Sequence, residues 1–145
     1  MGQEGVKVLT GQGERPAPPT GGSVFVVDED EGVEQSFRLL LGMFCVDVES
    51  FRSAEELLDR LSERTPDCLI AEVYLPGMSG LELLRELRAR GLKIPVIVMA
   101  THADVPLAVE AMQLGALDFI EKPFVHRVLV SRVKQALAKR GEDSC

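Results

Sequence analysis

The sequence predicts a doubly wound α/β domain, a five-stranded parallel sheet with five helices. Three observations carry this prediction. From Ser23 onward, short apolar runs and amphipathic stretches alternate strictly, five of each. The connections between them are short, which makes the strands parallel and the crossovers right-handed. Helix caps and breakers stand at the junctions of that alternation.

The elements follow in order. "VFVV" at 24–27 is a short apolar run ending in the acids "DEDE". A helical stretch comes next, with Val33, Phe37, Leu40, Leu41 and Phe44 on one face. "CVDVESF" alternates like a half-buried strand. Ser53 with Glu56 three residues on is a capping-box signature that opens the helix "SAEELLDRLSERT". Pro66 ends that segment, and "DCLIAEV" has the continuous apolar character of a strand buried on both faces. "GMSG" starts the amphipathic "LELLRELRARG", which Gly91 closes as a C-cap glycine. "PVIVMA" is another buried strand. In "ADVPLAVEAMQLG", Asp104 is the N-cap, Pro106 sits in the first turn and Gly115 lies past the end. "LDFIEKPF" is a strand running into Lys122-Pro123, and "VHRVLVSRVKQALAKR" is the last amphipathic helix.

Residues 1–22, rich in glycine and proline and with "VKVL" as their one apolar spot, are expected to form a flexible leader. The folded domain then covers 23–140, with 141–145 as a tail. A chain of 145 residues suits one domain with a real core and is short for two. Its 46% hydrophobic and 27% charged residues are ordinary for a globular protein. A formal net charge of -7 argues against general binding to nucleic acid or anionic membranes. Cys45, Cys68 and Cys145 show no metal-ligand spacing, and Cys68 lies in an apolar run as a small buried hydrophobe would. No apolar stretch approaches the roughly 18 residues of a membrane span, and no signal pattern opens the chain. A cytoplasmic protein is expected.

In sheets of this kind, function gathers at the carboxyl ends of the strands, beside the switch in strand order. Strand one ends in Asp28, Glu29, Asp30 and Glu31, strand three near Glu72, strand four at Ala100 and Thr101, and strand five at Glu121, Lys122 and Pro123. Several carboxylates facing one ammonium make a site that wants a divalent cation, the lysine, or both. Asp30 and Glu31 read as solvated loop acids. Asp28 and Glu29 read as site residues, because Lys122 opposes them from a separate strand.

The run "VVDED", "AEVYLPGMSGLELL", "PVIVMATHADVPLAVEAMQLGALDFIEKPF" resembles the receiver domain of two-component response regulators. The likeness covers about 23–140 and every strand end, and is nearest the FixJ/NarL-type branch, where a receiver precedes a helix-turn-helix output domain. The resemblance implies a flavodoxin-like, CheY-like sheet of order 2-1-3-4-5. It places Asp28 and Glu29 as the acid pair that holds Mg²⁺, Glu72 at the phosphoacceptor position, and the Tyr74 backbone carbonyl as the third protein contact to the metal. Lys122, before an expected cis proline, would pair with the acceptor or its phosphoryl group. Phe119 matches the aromatic switch. Ala100 takes the place of the hydroxyl residue that grips the phosphoryl group.

Two positions depart from that pattern. Acceptance needs a carboxylate oxygen in line with the donor phosphorus at about 3–3.5 Å, and Glu72 stands on a stem longer than aspartate by about 1.5 Å. A misplacement of about 1 Å can cost on the order of a hundredfold in rate. Ala100 cannot donate the charge-assisted hydrogen bond, typically about 1.5–3 kcal/mol, that a hydroxyl would give. Thr101 should point to the opposite face. The expectation is a receiver that is not an enzyme, holds Mg²⁺ weakly if at all, and signals by binding. Its partner would be a histidine kinase or downstream regulator on the helix 4–strand 5–helix 5 face, or a second copy in a homodimer.

Three rivals remain in view. An ordinary phosphoacceptor would tolerate Glu72 and use Thr101. A haloacid dehalogenase-type phosphatase would use Asp28 as nucleophile, but the acids such a site needs after its lysine are found only at Glu142 and Asp143. A DNA-binding regulator is not expected through this chain, since few residues follow the last helix. His102 and His126 read as solvated. The charges of "RELRAR" read as a wet helix face with i,i+4 pairs, and Arg127, Arg132, Lys134 and Lys139 as a solvated stripe that borders the docking face.

Overall fold

The computed structural model describes residues 21–138. The chain alternates strand and helix throughout: β1 (Gly22–Val27), α1 (Glu31–Gly42), β2 (Val46–Phe51), α2 (Ala54–Leu61), β3 (Cys68–Glu72), α3 (Gly80–Ala89), β4 (Val96–Ala100), α4 (Val105–Gln113), β5 (Asp118–Glu121) and α5 (His126–Ala138). The sheet order is β2-β1-β3-β4-β5, and every pairing is parallel. This is the predicted 2-1-3-4-5 arrangement. Except for its last two residues, the 1–22 leader lies outside the described residues, as do the 141–145 tail, Lys139 and Cys145.

The pleat sorts the strands into two apolar layers. Phe25, Val27, Leu69, Ala71, Val96, Val98 and Ala100 pack with α2, α3 and α4. Val24, Val26, Cys68, Ile70, Ile97 and Met99 pack with α1 and α5. β3 and β4 are buried along their whole length, which is why their sequences run apolar without alternation. Each such side chain contributes roughly 1.5–3 kcal/mol on burial. Burial also pushes the Cys68 thiol up to about 12, aided by the nearby Asp67 charge, so it packs as an inert hydrophobe.

The caps fall mostly where the sequence puts them. Asp104 accepts from the Leu107 amide at 2.8 Å, and Gly91 and Gly115 take positive φ of 78° and 97° past their helices. At α2 the capping box is only half made. Ser53 Oγ accepts from the Glu56 amide, but Glu56 Oε1 takes the Arg52 amide, one residue before the cap. The complete reciprocal box is at α3, between Ser79 and Glu82, and it fixes where the loop after β3 ends.

Candidate functional site

Strand order brings the ends of β1 and β3 side by side, and Lys122 reaches them from just beyond β5. Asp28 Oδ2 accepts from Lys122 Nζ at 2.7 Å, and Glu72 Oε1 lies 2.6 Å from the same nitrogen. The remaining oxygens are also engaged. Asp28 Oδ1 accepts from the Asp30 amide at 3.0 Å, and Glu72 Oε2 from the Tyr74 amide at 3.1 Å. Asp28 and Glu72 are the buried charged residues among those described. Buried carboxylates persist only when paired and hydrogen-bonded, and both conditions hold here. Burial would push the Lys122 ammonium down. The hydrogen bonds and charges of Asp28 and Glu72 outweigh that and hold it above its ordinary 10.5.

The glycine opening α3 matters to this geometry. A Cβ at Gly80 would stand 2.2 Å from the Glu72 carbonyl oxygen, and the Gly80 amide donates to Val73 O at 2.9 Å. The chain therefore turns directly behind Glu72. Glu55 of α2 steadies the same loop, accepting from the Met78 amide at 3.1 Å. Nothing in the local sequence marked Glu55 for this role, because it acts across a gap of 23 residues.

Other expected residues are placed differently. Glu29 does not join the buried pair. It is exposed, in the bend that follows β1, and lines a separate cleft of about 430 Å³ with Val73, Tyr74, Leu75, Pro76 and Ser79. Asp30 is the N-cap of α1 and accepts from Gly32, while exposed Glu31 pairs with Arg52 at 3.0 Å. The Tyr74 ring is exposed, with its hydroxyl 3.4 Å from the His102 carbonyl oxygen. Ala100 is fully buried in the α2–α3–α4 layer. Thr101 is exposed and faces another cleft, of about 490 Å³, with Lys122, Asp30, Phe37, Phe124 and His126. Phe119 is half-buried against the same layer as Ala100. The Lys122-Pro123 peptide is cis.

The cationic residues are less uniformly wet than their spacing suggests. Arg90 makes the expected i,i+4 pair with Glu86. Arg88 instead donates to the Leu92 and Gly115 carbonyls, both at 2.9 Å, tying α3 to the end of α4. Arg132 pairs with Asp118, and Lys134 lies 4.3 Å from the Phe44 ring centre. Arg127, His102 and His126 are exposed.

A parallel sheet of order 2-1-3-4-5 with two buried carboxylates and a lysine at its strand ends is the arrangement of a receiver-type signalling domain. Residues 24–134 match the response regulator receiver domain family, and the chain belongs to it. It is 45% identical over 119 residues to the transcriptional regulatory protein FixJ of Azorhizobium caulinodans, covering 82% of this chain and 56% of that protein. A receiver protein structure from Pseudoalteromonas atlantica superposes with a TM-score of 0.76 at 37% identity, covering 81% and 98% of the two chains. Full-length FixJ from B. japonicum gives 0.75 at 38% identity, covering 81% and 58%. The chain spans little more than half the length of the FixJ relatives it matches.

Receiver domains typically hold Mg²⁺ beside the acceptor. The donor set here does not fit that ion. Among the described residues, no group of three or more His, Cys, Asp or Glu side chains stands together. The two carboxylates that do meet are bridged by an ammonium, and Glu29 stands elsewhere.

Proposed function

We propose that this chain is a receiver of a two-component pathway that signals by binding a partner without accepting a phosphoryl group. One observation carries the reading: the carboxylate at the acceptor position is buried and already paired with Lys122 at 2.6 Å. A phosphoryl donor would have to break that pair to reach Glu72, and Ala100 offers no hydroxyl to hold the product. The carboxylate thus fills part of the space, and engages the counter-charge, that a phosphoryl group would use.

The partner is a histidine kinase or a downstream regulator, docked on the face formed by α4, β5 and α5, with a homodimer through that face as the competing assembly. Phe119, packed inward in the same apolar layer as the small Ala100, supports a resting arrangement of this face like that of an activated receiver. The reading includes no enzymatic activity of the chain's own and a cytoplasmic location. Among the described residues, no helix is long and apolar enough to cross a membrane.

The deciding experiment is incubation with acetyl phosphate and Mg²⁺, followed by intact-mass measurement. No mass gain is expected, and a phosphoryl group mapped to Glu72 would overturn the reading. A working acceptor has one observation in its favour, since Thr101 shares a cleft wall with Lys122. The same incubation separates the two.

A further inference from the structure

The geometry points to Lys122 as a built-in replacement for the divalent cation. While the lysine bridges Asp28 and Glu72 the pocket takes no Mg²⁺, and parting that bridge turns the pocket into a cation site. This rests on the reading above and deepens it by naming what the acceptor-position carboxylate is bound to.

Mg²⁺ requires near-octahedral oxygen ligands at about 2.0–2.1 Å and gives up water reluctantly. The oxygens it would use here are taken. Asp28 Oδ2 and Glu72 Oε1 lie 2.7 and 2.6 Å from one ammonium. Their partner oxygens hold the Asp30 and Tyr74 amides. A dication between the same two carboxylates would stand beside Nζ, and like charges so close exclude each other. The third carboxylate that could favour the metal, Glu29, faces a different cleft.

Glutamate's extra methylene carries its carboxylate about 1.5 Å further toward the lysine than an aspartate stem would reach. Two carboxylates and one ammonium leave one uncompensated negative charge. Without the lysine, the side chains of Asp28 and Glu72, only 4% and 5% exposed, would carry two. Such a pair demands a counter-ion. With the lysine in place, the ends of β1 and β3 and the turn after β5 stay joined whatever the Mg²⁺ concentration.

The test is Mg²⁺ titration calorimetry with melting curves on the full chain and on Lys122→Met, Lys122→Arg and Glu72→Asp. The natural chain and Lys122→Arg should show no saturable binding up to about 10 mM, tenfold beyond the weak end of protein cation sites at about 1 mM. Lys122→Met should bind at least about tenfold more tightly than the natural chain, equivalent to about 1.4 kcal/mol, and its melting temperature should climb with Mg²⁺. Glu72→Asp, which withdraws the carboxylate from a retained lysine, should also gain binding, and it decides the matter if Lys122→Met does not fold. Saturable binding by the natural chain anywhere below about 10 mM, tenfold beyond the weak end of protein cation sites, would overturn the inference. So would a folded Lys122→Met that ignores Mg²⁺, or, should that variant not fold, a metal-blind Glu72→Asp. Mg²⁺ binding without a phosphoryl mass gain removes this inference alone, whereas a mass gain at Glu72 removes the reading beneath it as well.

Discussion

Replacing Glu72 by aspartate should weaken the fold while restoring the chemistry, and the size of the first effect follows from one distance. Glu72 Oε1 lies 2.6 Å from Lys122 Nζ. A stem shorter by about 1.5 Å puts the carboxylate at about 4 Å if nothing else moves. At an effective dielectric of about 20, the attraction falls from about 6 to about 4 kcal/mol. The Lys122 side chain is 17% exposed and keeps Asp28, so relaxation and water recover part of the loss. The expected net destabilisation is about 1–2 kcal/mol, or roughly 3–12 °C in Tm for a domain of this size.

Urea unfolding of Glu72→Asp against the natural chain measures that gap, and pH supplies a second arm. Lys122 is raised above 10.5 in the fold. A raised lysine contributes stability that is complete below its unfolded value and disappears as pH rises through its folded one. The gap between the two proteins should therefore be constant near neutrality and close under strongly alkaline conditions. Equal stability at neutral pH would show that the Glu72–Lys122 contact contributes nothing. A gap unchanged after the lysine has lost its proton would place the effect in packing rather than in charge.

Glu72→Asp alone should accept a phosphoryl group from acetyl phosphate yet alter partner binding little, since a ligand shifts an equilibrium only through contacts that differ between states. Adding Ala100→Thr should bring phosphorylation-dependent binding of more than a few-fold; equal switching by the single variant would show that Thr101 already supplies the coupling. Gly80→Ala should cost at least about 2 kcal/mol, because its Cβ meets backbone that cannot step aside; chemical denaturation checks it, and a neutral result would mean that the turn behind Glu72 yields freely. Asp104→Ala should cost about 1 kcal/mol and speed amide exchange at the start of α4, around Leu107.

The alternation of five apolar runs with five amphipathic stretches was enough to determine the architecture, because helix and strand periodicities are local. So were the Asp104, Gly91 and Gly115 signals, each of which acts within a few residues of itself. Asp28, Glu72 and Lys122 were legible as strand-end residues for the same reason. What the sequence could not decide was which of the strand-end acids share the lysine. Asp28 and Glu29 are adjacent and both acidic, yet one turns into the sheet edge and the other into an outer cleft. Similarly, the Ser53–Glu56 spacing is that of a complete box, but the flexible Glu56 side chain takes the amide one residue before the cap. Arg88 and Arg132 looked like wet helix charges until packing put the α4 end and β5 within their reach. These choices depend on side-chain direction where the pleat ends and on distances across 14 to 94 residues, and only the closed sheet sets those.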